Sequence, residues 1–106
     1  MEPLLILTNV PDLASAEKLA RALIDERAAA CVNVLAPCQS VYRWQGATEQ
    51  AIEVPLLIKS TAARYARVEE IVRAQHPYDV PELIAIPITH GLPAYLDWLA
   101  TETEKT

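Results

Sequence analysis

His76-Pro77-Tyr78-Asp79-Val80-Pro81-Glu82 separates a helix-like pattern that ends near Gln75 from a strand-like run that starts near Leu83. Each proline fixes its own φ angle and disfavours helical geometry in the residue before it. Pro77 is therefore predicted to end the helix, and Pro81 to direct the chain into the strand. This segment, the connector, holds a histidine, a tyrosine and carboxylates in fixed directions, which makes it a candidate binding segment.

The chain before the connector begins with a strand and a helix. The apolar run Leu4-Leu5-Ile6-Leu7 is typical of a strand that is covered on both faces. Apolar residues at helical spacing then predict a helix over residues 13–28, which Asp12 or Ser15 could cap.

A long hairpin is predicted next. Ala30–Ala36 indicates a strand, whose character resumes through Val41, Tyr42 and Trp44 before a turn at Gln45-Gly46-Ala47. A third strand then follows from the alternation of Ile52, Val54, Leu56 and Ile58. Pro55 interrupts this alternation and cannot donate a ladder hydrogen bond, so it predicts an edge position or a bulge. Strands of roughly 12 residues would overhang a small sheet and expose Tyr42 and Trp44, which favours a symmetric homo-oligomer.

The remaining elements surround the connector. We expect a helix over about residues 62–75 with Ser60 or Thr61 as its cap, and a strand over Leu83–Ile88. Gly91 and Pro93 open a last helix that carries Tyr95, Leu96, Trp98 and Leu99. Residues 101–106 read as a frayed polar tail.

The predicted order is therefore β-α-β-β-α-β-α in one domain of 106 residues. Two strands joined through a helix, followed by a hairpin, indicate an α+β fold of the ferredoxin-like split β-α-β type, with a long β2–β3 hairpin and an added C-terminal helix.

Composition excludes several classes of protein. A hydrophobic content of 52% excludes a disordered chain, and a net charge of −5 with scattered basic residues argues against binding to nucleic acid. No apolar run approaches the roughly 20 residues that span a bilayer, so no membrane association is expected.

The N-terminus lacks a basic signal-peptide region, which favours the cytoplasm. Cys31 and Cys38 would lie roughly 23 Å apart in one strand, too far for a disulfide unless Pro37 bends the chain sharply, and reduced thiols fit that compartment.

Motifs for catalysis are absent from the sequence. Two glycines in total exclude the Gly-rich nucleotide-binding fingerprints, and neither Cys-x-x-Cys nor His-Glu-x-x-His occurs. Neither cysteine lies in a recognisable nucleophile motif. We therefore expect no catalytic residues and no enzymatic activity.

Two residue types could bind a metal ion. His76 is either a ligand or proton-transfer group, or a helix C-terminal residue favoured there by the helix dipole. Cys31 is either a small buried apolar side chain or a thiolate ligand. Thiolates would favour Cu(I), and imidazole would suit Cu(II) or Zn(II). Cys38 is expected to be exposed, and His90 to be solvated.

A polar cluster forms a second candidate site, which combines Tyr78 with Glu53, Lys59, Asp79 and Glu82. Lys59 ends an apolar strand, so its charge should meet a carboxylate or a bound anion. The cluster is either a ligand site or a set of salt bridges in an interface. Trp44 and the aromatic residues of the last helix are expected in the core or an interface.

Five ordered motifs resemble the CutA divalent-cation tolerance family. They are Ala29-Ala30-Cys31-Val32-Asn33, Tyr42-Arg43-Trp44-Gln45-Gly46, Glu53 with Leu57-Ile58-Lys59-Ser60, the connector, and Tyr95-Leu96-Asp97-Trp98-Leu99. The resemblance implies a ferredoxin-like homotrimer in which the hairpin reaches a neighbouring subunit, similar to the PII-type signalling trimers. It also implies a role in the response to divalent metals such as copper, without enzymatic activity.

The resemblance is compatible with three functional hypotheses. In the first, copper or another divalent cation binds, at most weakly, to His76, Cys31 and Glu53. In the second, clefts between subunits hold a small regulatory ligand against Lys59, Tyr78 and Glu82, with Trp44 nearby. In the third, these residues only fasten the trimer.

Two positions depart from the members of the family that are associated with copper. Those members carry a cysteine where this chain has Thr8, and a second histidine where it has Gln75. Threonine and glutamine are donors that a soft copper ion does not prefer.

Overall fold

Residues 1–104, which are the residues that the computed structural model describes, contain five strands and three α-helices. A single 3₁₀ turn, Ala62–Arg64, precedes the second helix. The elements in chain order are β1 (Pro3–Val10), α1 (Leu13–Asp25), β2 (Cys31–Val34), β3 (Cys38–Trp44), β4 (Ala47–Thr61), α2 (Tyr65–Gln75), β5 (Ile84–Pro87) and α3 (Pro93–Glu102).

The strands form one antiparallel sheet in the order β2-β4-β1-β5, with β3 paired to the first part of β4. β1 and β2, which are connected through α1, both lie antiparallel to β4 and are separated by it. This is the split β-α-β arrangement, and it confirms the predicted α+β, ferredoxin-like fold.

One face of the sheet forms the core. Alternate residues of β1 and β4 point toward α1 and α2, because successive side chains of a strand lie on opposite faces. The buried cluster comprises chiefly Leu4, Ile6, Val10, Ala16, Leu19, Leu23, Val54, Leu56, Ile58, Val68, Ile71 and Val72. Burial of each large aliphatic side chain stabilises the fold by about 1.5–3 kcal/mol.

The other face of the sheet, the open face, is only partly covered within the chain. Leu5 and Leu7 of β1 are half-buried there, and their partners on β5, Ile86 and Ile84, are 48% and 51% exposed. The prediction that β1 is covered on both faces is therefore wrong for the isolated chain, because the two α-helices of the core lie on one side only.

The helix caps differ in part from the predictions. Asp12 caps α1 as expected, since its Oδ1 accepts the backbone N–H of Ser15 at 2.7 Å. α1 ends at Asp25, before the predicted residue 28, and Arg27 follows in the left-handed region with φ 56°. Neither Ser60 nor Thr61 makes the predicted side-chain cap. The hydroxyl of Ser60 instead bonds the carbonyl of Ala28, which joins β4 to the end of α1.

The predicted frayed tail is wrong for residues 101–104. α3 continues to Glu102, and Thr103 is buried with its hydroxyl donating to the carbonyl of Leu99 at 2.9 Å. The guanidinium of Arg27 donates to the carbonyls of Thr101 and Glu104 at 2.7 and 2.8 Å. A cation therefore satisfies the end of α3, where helical carbonyls lack partners. Residues 105–106 lie outside the described residues.

The hairpin turns at Gln45-Gly46, whose φ angles of 49° and 81° are the positive values that a two-residue turn of this kind requires. On the body side of the hairpin, four chain steps separate Val34 from Cys38, whereas three separate their partners Leu56 and Glu53. The β2–β3 side thus carries one extra residue, which is a bulge. Pro55 lies opposite it, as predicted, and its carbonyl accepts the N–H of Leu35.

Beyond the bulge, the hairpin extends past the rest of the sheet, in a molecule that measures 44 × 26 × 23 Å. Tyr42 and Trp44 are each 44% exposed, and Val41 and Ile52 are more exposed still. The predicted overhang is confirmed. No helix within residues 1–104 is long and apolar enough to cross a membrane.

Candidate functional site

A cleft of about 820 Å³ lies between the hairpin and the connector. The hairpin contributes Tyr42, Trp44 and Glu53 to its lining. The connector contributes Tyr78, Asp79 and Glu82. The structure thus brings together residues that are more than 20 positions apart in the sequence, and most of them were predicted to be site residues.

Strand periodicity explains why the hairpin residues converge. Tyr42 and Trp44 are alternate residues of β3 and share a face with Cys38, which is the register partner of Glu53. Glu53 therefore lies on the same face of the hairpin as the two rings. The side chains enter the cleft from rigid strands, and their relative positions follow from the register.

The start of the fold holds the connector in place. The Thr8 hydroxyl donates to the Glu82 carbonyl at 2.6 Å, and the Asn9 amide donates to Glu82 Oε1 at 3.0 Å. Both residues are at the end of β1. Sequence reasoning did not predict these contacts, because hydrogen bonds across more than 70 residues leave no local pattern.

His76 links the connector to β1 through hydrogen bonds. Its side chain is 9% exposed, and its ring lies against Tyr78 at 4.7 Å between centroids. Nδ1 accepts the N–H of Tyr78 at 3.2 Å, so Nε2 carries the proton and donates to the Asn9 carbonyl at 2.6 Å. Both ring nitrogens are therefore engaged in hydrogen bonds within the chain.

Glu53 is the buried charge of the cleft. Its side chain is only 8% exposed, and the hydroxyl of Tyr78 donates to Oε2 at 3.3 Å. Burial raises the pKa of Tyr78, and the nearby negative charge of Glu53 raises it further. The phenol consequently stays protonated and remains a donor to the carboxylate.

Lys59 and Cys31 lie at the other end of β4. They are register partners, six residues from Glu53 along β4, which corresponds to roughly 20 Å. The Lys59 ammonium bonds the side-chain oxygen of Asn33, and Cys31 Sγ lies 4.0 Å from that oxygen. The predicted polar cluster is therefore divided: Glu53, Tyr78, Asp79 and Glu82 line the cleft, whereas Lys59 does not.

The three predicted metal ligands do not converge within one chain. His76 uses both nitrogens for hydrogen bonds, and Cys31 is far from Glu53. In the part of the chain that the structure describes, no group of three or more histidine, cysteine, aspartate or glutamate side chains could hold a metal ion.

Tyr42 is a cleft residue that sequence reasoning treated only as an exposed aromatic. Its alternation with Trp44 on one strand could have indicated a shared face. The position of the connector over that face could not be read from the sequence.

The fold and cleft define a class of protein: ferredoxin-like domains with an extended hairpin and an acidic, aromatic cleft at its base. The family model of the CutA1 divalent ion tolerance protein matches residues 4–102. The chain belongs to this family.

Related proteins support the assignment by both sequence identity and structural similarity. The divalent-cation tolerance protein CutA of Thermus thermophilus is 45% identical over 98 residues, which cover 92% of this chain and 95% of that protein. The crystal structure of CutA from Xylella fastidiosa has a TM-score of 0.94 at 44% identity and covers 98% of this chain and 100% of its own. The chloroplastic CutA of Arabidopsis thaliana is 40% identical over 102 residues, which cover 96% of this chain and 56% of the relative.

Proposed function

We propose that this protein acts in divalent-cation tolerance as a cytoplasmic homotrimer, and that its binding site is the cleft between hairpin and connector. The observation that carries the proposal is Glu53, a carboxylate with 8% exposure that lines a cleft of about 820 Å³. A cleft of this size is within the range of small-molecule sites. The function is then that of a regulatory binding module with no catalytic step.

A resident copper ion does not fit the residues of one chain. The family name implies divalent cations, but both ring nitrogens of His76 already have hydrogen-bond partners within the chain. Thr8, at the end of the first strand, is occupied in anchoring Glu82. We therefore propose that the protein influences metal tolerance through a ligand or partner rather than by storing the metal.

The apolar surface supports assembly into a homotrimer. On the open face, Ile84 and Ile86 are about half exposed beside Leu5 and Leu7. Contiguous apolar surface of this kind marks an interaction site. The outer edge of β3 also has no strand partner within residues 1–104, which leaves backbone groups available to a neighbour.

Light scattering tests the assembly. The expected mass is that of three chains of 11.7 kDa each. Ile86→Lys should lower this mass because it places a charge in the apolar contact, whereas Leu13→Lys, at an exposed position of α1, should leave it unchanged. A monomer at micromolar concentration for the unmodified protein would refute the trimer.

Calorimetry with Cu²⁺ and Zn²⁺ tests whether the protein binds either metal ion tightly. We expect no binding tighter than about millimolar, and the same weak heats for His76→Ala and Cys31→Ser. A stoichiometric, tight site that disappears in either variant would instead support direct metal binding at His76 or Cys31.

A purely structural trimer is the second candidate, because Glu82 already uses its carboxylate and its carbonyl for contacts with Asn9 and Thr8 of the same chain. In that case Glu82→Ala or Lys59→Ala should dissociate the trimer. If Glu82→Ala, which alters the lining of the cleft, keeps its mass but loses ligand binding, the structural interpretation fails.

A further inference from the structure

The cleft has an unusual combination of lining groups, namely a buried carboxylate and several aromatic rings. We propose that it binds an organic cation, with a protonated amine against Glu53 and an apolar or aromatic body against Tyr42, Trp44 and Tyr78. This inference rests on the proposed function of the cleft as the binding site, and it names the class of ligand.

The charge of the cleft lining determines which ligands the cleft attracts. The charged side chains that line the cleft are Glu53, Asp79 and Glu82, and no lysine, arginine or histidine of residues 1–104 lines it. The cation that had suggested an anionic ligand, Lys59, lies roughly 20 Å away along β4. An anion would therefore enter a purely negative site, whereas a cation would be attracted.

The environment of Glu53 also leaves room for a stronger, cationic donor. A buried carboxylate is costly unless it is paired or strongly hydrogen-bonded. Within the described residues its side chain has one hydrogen bond, from the Tyr78 hydroxyl at 3.3 Å. That distance is long, since O–H donors usually approach carboxylates to about 2.5–2.7 Å. An ammonium group in the cleft would supply the stronger donor.

The aromatic rings favour an organic cation. Tyr42 and Trp44 are each 44% exposed and Tyr78 is 39% exposed, so all three present ring surface to the cleft. Aromatic faces attract cations, and tryptophan does so most strongly. Carboxylate and rings together would hold both the charge and the adjacent carbon atoms of an amine.

A bare divalent cation fits this site less well. Hard cations take six or more oxygen ligands at short range, whereas no such group of side chains occurs within residues 1–104. The volume of about 820 Å³ also greatly exceeds that of an ion. The geometry thus favours a molecule over a metal.

Binding of phenethylamine tests the proposal, with 2-phenylethanol and 3-phenylpropionate as its neutral and anionic counterparts. Quenching of Trp44 fluorescence, in a Trp98→Phe background, reports on occupancy of the cleft. We expect saturable quenching by the amine, and at least about tenfold weaker binding of the alcohol and the acid.

Glu53→Gln provides the decisive variant because it removes the charge and keeps the shape. It should weaken amine binding at least about tenfold. The matched control is Glu49→Gln, because Glu49 lies on the same face of β4 but is exposed and opposite Tyr42. The control should bind the amine as the unmodified protein does.

Several outcomes would overturn the proposal. Equal affinity for amine and alcohol, or undiminished amine binding in Glu53→Gln, would remove the role of the carboxylate. Preference for the acid would show a working cleft with the wrong ligand class, whereas no binding of any probe to an intact trimer would refute the proposed function itself. If Glu53→Gln changes the mass in light scattering, Tyr42→Ala replaces it, and amine binding that Tyr42→Ala leaves unchanged would also refute the proposal.

Discussion

The two halves of β4 differ although they belong to one continuous strand. From Glu53 to Thr61, buried and half-buried residues alternate almost regularly, because the strand lies between β1 and β2 and is covered by helices on one face. From Ala47 to Ile52, all but one residue is exposed, and β3 is the only neighbouring strand within residues 1–104. The part that ends at Thr61 belongs to the body of the protein, and the part that starts at Ala47 belongs to its hairpin.

The difference shows which residues the chain uses for its own folding. In the body half, apolar residues are buried by the chain itself. In the hairpin half, Ile52 on β4 and Val41 on β3 are apolar yet more than 60% exposed. Since exposed apolar side chains do not stabilise a single chain, we infer that the hairpin residues act through contacts with other molecules.

The largest expected effect on stability comes from truncating one apolar side chain in each half of β4. Ile58→Ala removes a side chain that is 0% exposed and should lower the free energy of unfolding by about 2–5 kcal/mol. Ile52→Ala, at a position with 63% exposure, should change the stability of the single chain by less than about 0.5 kcal/mol. Urea unfolding at two protein concentrations measures both effects. Any loss at Ile52 should depend on concentration, and equal, concentration-independent losses would remove the distinction.

The next effect concerns the attachment of the connector to the body. Thr8→Val keeps the shape of the side chain but removes the donor to the Glu82 carbonyl, which should cost about 1–3 kcal/mol. Thr48→Val, on the exposed hairpin, is the control and should be nearly neutral. Urea unfolding measures both. Neutrality of Thr8→Val would mean that the connector is held without this hydrogen bond.

A smaller effect is expected at the hairpin turn. Gly46 has φ 81°, and apart from its two chain neighbours no residue among 1–104 has a heavy atom within 4 Å of an added Cβ, so Gly46→Ala tests backbone strain alone. The cost should be about 1–2 kcal/mol, confined to the hairpin. Faster amide exchange in β3, with unchanged exchange in β1, would confirm this. Gln45→Asn should act in the opposite direction, because asparagine tolerates positive φ.

The smallest effect is a dependence of stability on pH. The pKa of Tyr78 is raised above 10.0 by burial and by Glu53, so the unfolded chain loses the phenolic proton first. This contribution to stability is complete below pH 10 and is lost as the pH rises through the pKa of the folded state. Tyr78→Phe should therefore lose less stability between about pH 8 and pH 11 than the unmodified protein, as measured by urea unfolding. An identical loss in both proteins would contradict the assignment.

Most of the fold followed from the sequence, since strand alternation, helical spacing, the Gly46 turn and the prolines act locally. The terminal helix was mispredicted beyond residue 100, because its end is stabilised by Arg27, more than 70 residues away. The predicted helix caps at Ser60 and Thr61 were wrong for a similar reason. Ser60 bonds a distant carbonyl instead of its own helix.

The sequence grouped several of the side chains that line the cleft, but not all of them. Trp44, Glu53, Tyr78 and Glu82 do meet in one cleft, although only the fold shows why, since register and the anchoring of the connector place them together. The grouping of His76 with Cys31 and Glu53 as metal ligands remains a prediction for the assembled protein. Residue type alone suggested it, and residue type carries no information on which nitrogens of a histidine are already engaged.

The bulge opposite Pro55 has a consequence for how this protein could vary. The register of β2 with β4 is set on the body side of the interruption, and the register of β3 with β4 is set separately beyond it. Lengthening, shortening or replacing the arm beyond this point therefore leaves the body's strand pairing intact. The hairpin is in this sense an exchangeable part, on which new contact surfaces can arise while the body is inherited unchanged.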